Sequence, residues 1–238
     1  MLLSRRQAIG GGAALGALGL LSSPAFAADR NRPDRLSDLR IDELDPPRSA
    51  RPVPPQAAAQ ARVPLDGAIN PRMIARARAA FDRHRASLRH IDTVGIADFG
   101  RASGEPRFYL LDTSSGRVSR HYVSHGRGSD PAHTGLLQRF SNTVGSEATS
   151  NGAYVTSEYY QGRYGRSMRV RGLDHSNSNA ESRAIVVHSA WYAEPSMLAS
   201  NDGRLGRSEG CFALPYSSLQ ECLARLGPGR FLYADRLA

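Results

Sequence analysis

Ala184-Ile185-Val186-Val187-His188-Ser189-Ala190-Trp191-Tyr192, a polar loop, and then Gly206-Arg207-Ser208-Glu209-Gly210-Cys211-Phe212-Ala213-Leu214-Pro215 form the stretch around which this chain is organised. Ala184 to Val187 is a short apolar run, rich in β-branched residues, that ends in a histidine. This is the pattern of a buried strand that delivers an imidazole at its end. Gly206 to Cys211 is a polar turn carrying a thiol, and Phe212 to Leu214 is a second apolar run. A thiol that attacks a carbonyl must first lose its proton, and imidazole is the side chain that takes and returns protons near neutral pH. A strand-borne histidine and a turn-borne cysteine are therefore the two parts of a thiol acyl-transfer centre. Separation along the chain leaves open whether strand, loop and turn bring them together.

His188 followed by Gly206-Arg207-Ser208-Glu209-Gly210-Cys211 resembles the active-site signature of the murein L,D-transpeptidases, the YkuD-like catalytic domain family. That pattern is a His, a loop, then Ser-His-Gly-Cys. The chain is most similar to the divergent branch in which G-R-S-x-G-C is usual and the second His is often missing. The likeness extends through His125-Gly126-Arg127-Gly128, Phe140-Ser141-Asn142, Tyr154-Val155-Thr156 and Arg183 to His188, so it covers about residues 91–235. Two positions depart from the pattern. Glu209 stands where the better-known branch has its second His, and a carboxylate there opposes thiolate formation. Phe212 stands where this branch often has Pro.

The resemblance implies a mainly β fold, an L,D-transpeptidase-like β-sandwich with a few flanking helices. It also implies a reaction. Cys211 attacks the carbonyl on the L-centre side of an L,D peptide bond in a peptidoglycan tetrapeptide stem, a D-residue leaves, and a thioester forms. The side-chain amine of a second stem then attacks to give a 3–3 cross-link. Water as acceptor makes the enzyme an L,D-carboxypeptidase, and a protein–peptidoglycan bond as substrate makes it a hydrolase that releases a murein-linked lipoprotein. A non-catalytic wall-binding protein is the reading from a different class. Papain-like amidases place Cys before His in the chain, and sortases want Thr-Leu-x-Thr-Cys, so neither fits.

In this scheme His188 is general base and then acid. The resemblance implies a backbone carbonyl or small polar residue that fixes its tautomer, and Ser189 is a candidate. Backbone N–H groups at Gly210 and Cys211 are candidates for an oxyanion hole, and Gly210 permits the turn that aims them. Ser208 holds the turn, and Arg207 either meets a substrate carboxylate or balances Glu209. Cys222 falls on the apolar face of a helix and reads as core, with a Cys211–Cys222 disulfide as the rival in an oxidising compartment. His121 and His125 are four apart but sit at a strand and its loop, so no metal site is expected, and no cofactor. Asn142, Tyr154 and Arg183 lie in family-like segments and carry no assigned role.

The basic residues are all arginines, and the net charge is +9. Such a surface suits an anionic polymer or anionic lipid, or is equally a scattered, solvated arginine surface with no partner, while the absence of basic-aromatic interleaving or a recognition-helix pattern argues against nucleic acid. Ser4-Arg5-Arg6-Gln7 opens a twin-arginine-type targeting segment over residues 1–27, closed by Ala25-Phe26-Ala27. Its Gly/Ala-rich apolar run is too short for a good membrane span, and no cysteine sits near the cleavage site for a lipid anchor. The expected destination is the periplasm or cell wall, without a stable membrane anchor. Residues 28–70 hold half of the chain's 14 prolines and read as a linker.

The catalytic domain is expected over 71–238. Asn70-Pro71 starts a helix with an N-cap and a proline in the first turn, and Met73, Ile74, Ala77, Phe81, His84 and Leu88 form its apolar stripe. Strands are expected over 91–99, 107–112, 117–124, 152–160, 166–170 and 231–234, with a hairpin at Asp112 to Gly116 and a helix over 215–226. The long polar stretch from Gly126 to Asn151 is expected to be functional or locally disordered.

Overall fold

The computed structural model describes residues 63–64 and 67–237; the expected targeting segment and most of the expected linker lie outside them. The chain runs β1 (Val63–Pro64), α1 (Pro71–His84), β2 (Thr93–Asp98), β3 (Phe108–Asp112), β4 (Arg117–His121), β5 (Gly152–Gly162) and β6 (Gly165–Gly172). It continues through β7 (Val186–Ser189), the one-turn α2 (Met197–Ser200), β8 (Phe212–Leu214), α3 (Tyr216–Leu226) and β9 (Phe231–Asp235). Among the described residues no helix is long and apolar enough to cross a membrane.

The fold is mainly β, as expected. Its nine strands form one hydrogen-bonded sheet in the order β1-β4-β3-β2-β9-β5-β6-β7-β8. The layers of the expected sandwich are the two ends of this one sheet. Phe108 and Leu110 of β3 share a core with Val187 of β7 and with Phe212 and Leu214 of β8. Past β4, the bridges Ser124↔Ala213 and Gly126↔Ser208 join the chain to β8 and to the turn before it. The expected strand over 117–124 therefore ends early as a member of the β3 ladder. Its last residues turn to β8, held in part by the buried Arg107, which donates from Nε and Nη2 to the Val123 carbonyl at 3.1 and 3.0 Å.

Strand alternation explains the two cores. In the central strands β2, β3 and β9, Ala97, Leu110, Leu232 and Ala234 face one core. Their neighbours Ile96, Tyr109, Phe231 and Tyr233 face the other. A strand buried on both sides must be apolar at successive positions, which is why these runs read as continuous rather than alternating. α3 lays Leu219, Cys222, Leu223 and Leu226 on the first core. α1 lays Met73, Ala77 and Ala80 on the second, with Ile74 and Phe81 at its margin; the helix ends at His84, so Leu88, expected on its stripe, reaches this core from the segment after it. Both cysteines are free, so the rival Cys211–Cys222 disulfide is not formed, and Cys222 is a core residue.

Local signals account for the element ends. The Asn70 side chain accepts from the Arg72 N–H at 2.9 Å, capping α1. Asp112 Oδ1 accepts from the backbone N–H groups of Ser114 and Ser115 at 3.0 and 2.9 Å, which folds the β3–β4 hairpin. His84, expected as a packing residue on the α1 stripe, instead places Nε2 2.8 Å from Asp174 Oδ1 and ties α1 to the loop after β6. The domain also begins upstream of the expected boundary at residue 71. Val63–Pro64 pair with β4, and Ala68 and Ile69 are buried in the second core.

Candidate active site

Two parallel neighbours, β7 and β8, build the site. Val187 pairs with Phe212 and His188 with Ala213. Partners in register point to the same face, so Val187 and Phe212 enter the core while Val186 and His188 face away from it. One step back along the same register sets Cys211 beside Val186. The thiol and the imidazole therefore lie on one face as diagonal neighbours, and both line a cavity of about 300 Å³. Parallel strands need a crossover, here the segment from Ala190 to Gly210 with α2, and this accounts for the long separation of the two residues in the chain.

The imidazole is held in one orientation. Its Nδ1 lies 2.9 Å from the Ser189 carbonyl, so Nδ1–H donates there and Nε2 is left with its lone pair. The Ser189 backbone carbonyl fixes the tautomer. Tyr164, from the turn between β5 and β6, stacks on the ring at 4.5 Å between centroids with 29° between planes. The sulfur is anchored separately. Cys211 Sγ donates to the Ala184 carbonyl at 3.6 Å, and among the described residues it makes no hydrogen bond to His188. Ala184 itself has φ +54, a left-handed conformation rare for a residue with a Cβ. That strain falls at the residue whose carbonyl receives the thiol.

The turn before the cysteine is fastened at both ends. Ser208 N–H donates to the His125 carbonyl at 2.9 Å, and its carbonyl accepts from Arg127 N–H at 2.7 Å. Ser208 Oγ donates to the Cys211 carbonyl at 2.7 Å and accepts from Gly210 N–H at 3.2 Å. Ser208 thus holds the turn, as expected. Gly210 does so too, but its N–H is spent inside the turn, which removes it from the expected oxyanion pair. Gly210 has φ +113, and a Cβ there would lie 2.8 Å from the Ala148 carbonyl oxygen, so only glycine fits.

Arg207 is not brought into the cavity. Its guanidinium donates to the Asp130 and Pro131 carbonyls, the former at 2.5 Å, and among the described residues it makes no ion pair with Glu209. Glu209 lies instead 3.4 Å from Arg127. Arg163, from the β5–β6 turn, lines the cavity, and so does Arg183, to which sequence reasoning gave no role. Arg183 donates to Ser141 O at 2.6 Å, to Ser150 Oγ at 2.7 Å and to Ala148 O, and so braces the long loop against the strand that carries His188. The only signal for it was its place one residue before that strand run. The 126–151 stretch supplies Val144, Gly145 and Glu147 to the cavity. Asn142 and Tyr154 serve as fasteners, Asn142 donating to the His175 carbonyl and Tyr154 to the Ser150 carbonyl. Among the described residues no group of three His, Cys, Asp or Glu is placed to hold a metal ion.

Burial sets the resting protonation. It pushes the Cys211 thiol up to about 11, with Glu209 adding to the rise and the Val186 N–H and Arg183 opposing it. Burial also brings His188 down to about 4. The free protein therefore holds a neutral thiol beside a neutral imidazole at pH 7, not a thiolate–imidazolium pair. Iodoacetamide is expected to alkylate the native protein slowly at pH 7 and about tenfold faster per pH unit up to about pH 10, at Cys211 alone, since Cys222 is fully buried. Peptide mapping against pH checks this; a rate that levels off below pH 8 contradicts it.

His121 and His125 are buried as well, and burial depresses both, with Arg107 adding to the effect at His125. Their folded values and that of His188 lie below the unfolded value of about 6.5. Below that pH the unfolded chain binds protons that the folded chain refuses. Stability present at pH 7 is thus lost as pH falls from about 6.5 toward 4, by on the order of 1 kcal/mol per pH unit for each histidine. Urea midpoints at pH 7 and pH 5 should show a clear fall; equal midpoints would exclude this.

Residues 66–234 match the family model of the L,D-transpeptidase catalytic domain. No curated protein matches the chain. Among solved structures the chain is similar to an L,D-transpeptidase from Mycobacterium smegmatis, at 14% identity and TM-score 0.38, covering 60% of this chain and 58% of that one. It is similar to one from Mycobacterium tuberculosis H37Rv at 17% identity and TM-score 0.39, covering 60% and 57%. A third, from Xylanimonas cellulosilytica, has 17% identity and TM-score 0.36, covering 66% and 68%. The chain spans under three fifths of the length of the two mycobacterial chains.

Proposed function

Because this chain belongs to the L,D-transpeptidase catalytic domain family, we propose that it is a peptidoglycan-modifying acyltransferase that works through a thioester on Cys211. The observation that carries the reading is the shared face of β7 and β8, which presents a thiol and a tautomer-fixed imidazole to one cavity. Substrate binding turns Cys211 from the Ala184 carbonyl toward Nε2 of His188, and the proton passes to the ring as sulfur attacks the stem carbonyl. A ring brought down to about 4 by burial is a weak base but, once protonated, a strong acid. It gives its proton readily to the leaving amine. The Cys211 N–H and the Arg183 guanidinium are the donors proposed for the oxyanion, since the Gly210 N–H is engaged by Ser208.

The acceptor is proposed to be the side-chain amine of a second stem, giving 3–3 cross-links. The proposed setting is the periplasm or cell wall, reached by the twin-arginine-type segment at the N-terminus. Purified mature protein with tetrapeptide stems tests the reading. Dimers joined between third residues are expected. Tripeptides alone would make water the acceptor, release of a murein-bound lipoprotein would make it a hydrolase of that link, and no product would leave a wall-binding protein.

A further inference from the structure

Glu209 is two residues before the nucleophile, in the same turn, and its carboxylate lines the same cavity as Cys211 and His188. Its side chain is 18% exposed. A carboxylate so enclosed normally accepts two or three hydrogen bonds. Among the described residues none reaches it. Arg127 is nearest, at 3.4 Å, beyond good hydrogen-bond length. That guanidinium already grips Glu147 through Nε, at 2.6 Å, and through Nη2. Two carboxylates thus share one arginine at the wall of the cavity. Arg163, from the β5–β6 turn, exerts a weaker opposing pull on Glu209, and Glu147 repels it. The Glu209 oxygens keep their acceptor capacity, in the same cavity that Cys211 and His188 line.

We infer that Glu209 receives the ammonium group of the acceptor and makes the enzyme prefer a cationic amine over water or a neutral nucleophile. The inference rests on the thioester reading above. The steps balance as follows. The acceptor arrives as R–NH₃⁺ and gives one proton to Glu209. The free amine forms a C–N bond to the acyl carbon as the C–S bond breaks. The second nitrogen proton passes through His188 to the departing sulfur, and Glu209 releases its proton to solvent. Burial holds this carboxyl above the usual carboxylate range, which makes it a better proton acceptor than an exposed glutamate.

The test uses full-length mature protein, a tetrapeptide stem as donor, and two competing acceptors at pH 7. One is a stem carrying a charged primary amine; the other is hydroxylamine, which is uncharged. Both products pass through the same acyl-enzyme, so their ratio reports acceptor choice alone. Glu209→Gln is expected to lower the ratio of amide to hydroxamate about tenfold, the worth of one charge-assisted hydrogen bond. Glu209→Asp should restore most of it. An unchanged ratio in Glu209→Gln, or an Asp variant no better than Gln, overturns the inference and leaves the thioester reading standing. A parent protein that yields neither product and carries no acyl group on Cys211 overturns both.

Discussion

Cys211→Ala is expected to abolish acyl transfer, with a fall of about four orders of magnitude or more, while the protein keeps its fold. The activity loss is expected to be near total because Cys211 is the only thiol among the described residues that line the cavity. The Oγ of Ser208, a hydroxyl in the same turn, is committed to the Cys211 carbonyl and the Gly210 N–H. Removing a covalent nucleophile typically leaves only what binding and oxyanion contacts supply. The stability change should be small. Cys211 Sγ has only weak partners, the Ala184 carbonyl at 3.6 Å and the Val186 N–H, and the turn is held by Ser208 and Gly210 rather than by the thiol. A shift within about 1 kcal/mol is expected. Product assays beside thermal unfolding separate the two effects. A folded variant with activity above one hundredth of the parent excludes a thiol mechanism.

His188→Gln is expected to cost about 10²- to 10⁴-fold in kcat/KM, the usual worth of a positioned acid–base group. The pH dependence distinguishes this role from a structural one. The ring must be neutral to accept the thiol proton, and burial has brought it down to about 4. Activity in the parent should therefore stay level from pH 7 to about pH 5 and fall only below that, provided the protein remains folded. An exposed histidine would begin to fail near 6.5. The Gln variant should lose this acid limb along with the rate. Tyr164→Ala, by unstacking the ring and admitting water, should move the limb upward, and an unmoved limb would assign the stacking no part in the depression.

Much of this molecule was readable from residues alone, and the exceptions share a cause. The Asn70-Pro71 start of α1, the Asp112 turn and the His188 strand depend on contacts within a few residues, which local patterns record. The early end of β4 does not. Nothing between Tyr122 and Gly126 announces that the chain leaves β3 for a strand almost ninety residues later. Val63–Pro64 fell in a proline-rich tract, where an edge strand paired to β4 outweighs composition. The arginines show the same limit most clearly. Arg207 stands next to Ser208 in sequence and turns to the Asp130 carbonyl, whereas Arg183 is distant in sequence and lines the cavity. Side-chain direction at a site depends on tertiary partners that neighbouring residues do not encode. The Gly210 N–H, claimed within its own turn by Ser208, is the one local detail that the pattern alone did not reveal.

The most direct test is the mass of the cysteine peptide after contact with donor. Mature protein is mixed with a tetrapeptide stem, quenched in acid within seconds, digested and mapped. The account predicts a tripeptide acyl group on the peptide that carries Cys211, released by hydroxylamine, with the Cys222 peptide unmodified. A stem that is turned over while Cys211 stays unmodified at every time point, or an acyl group found on another residue, would contradict it.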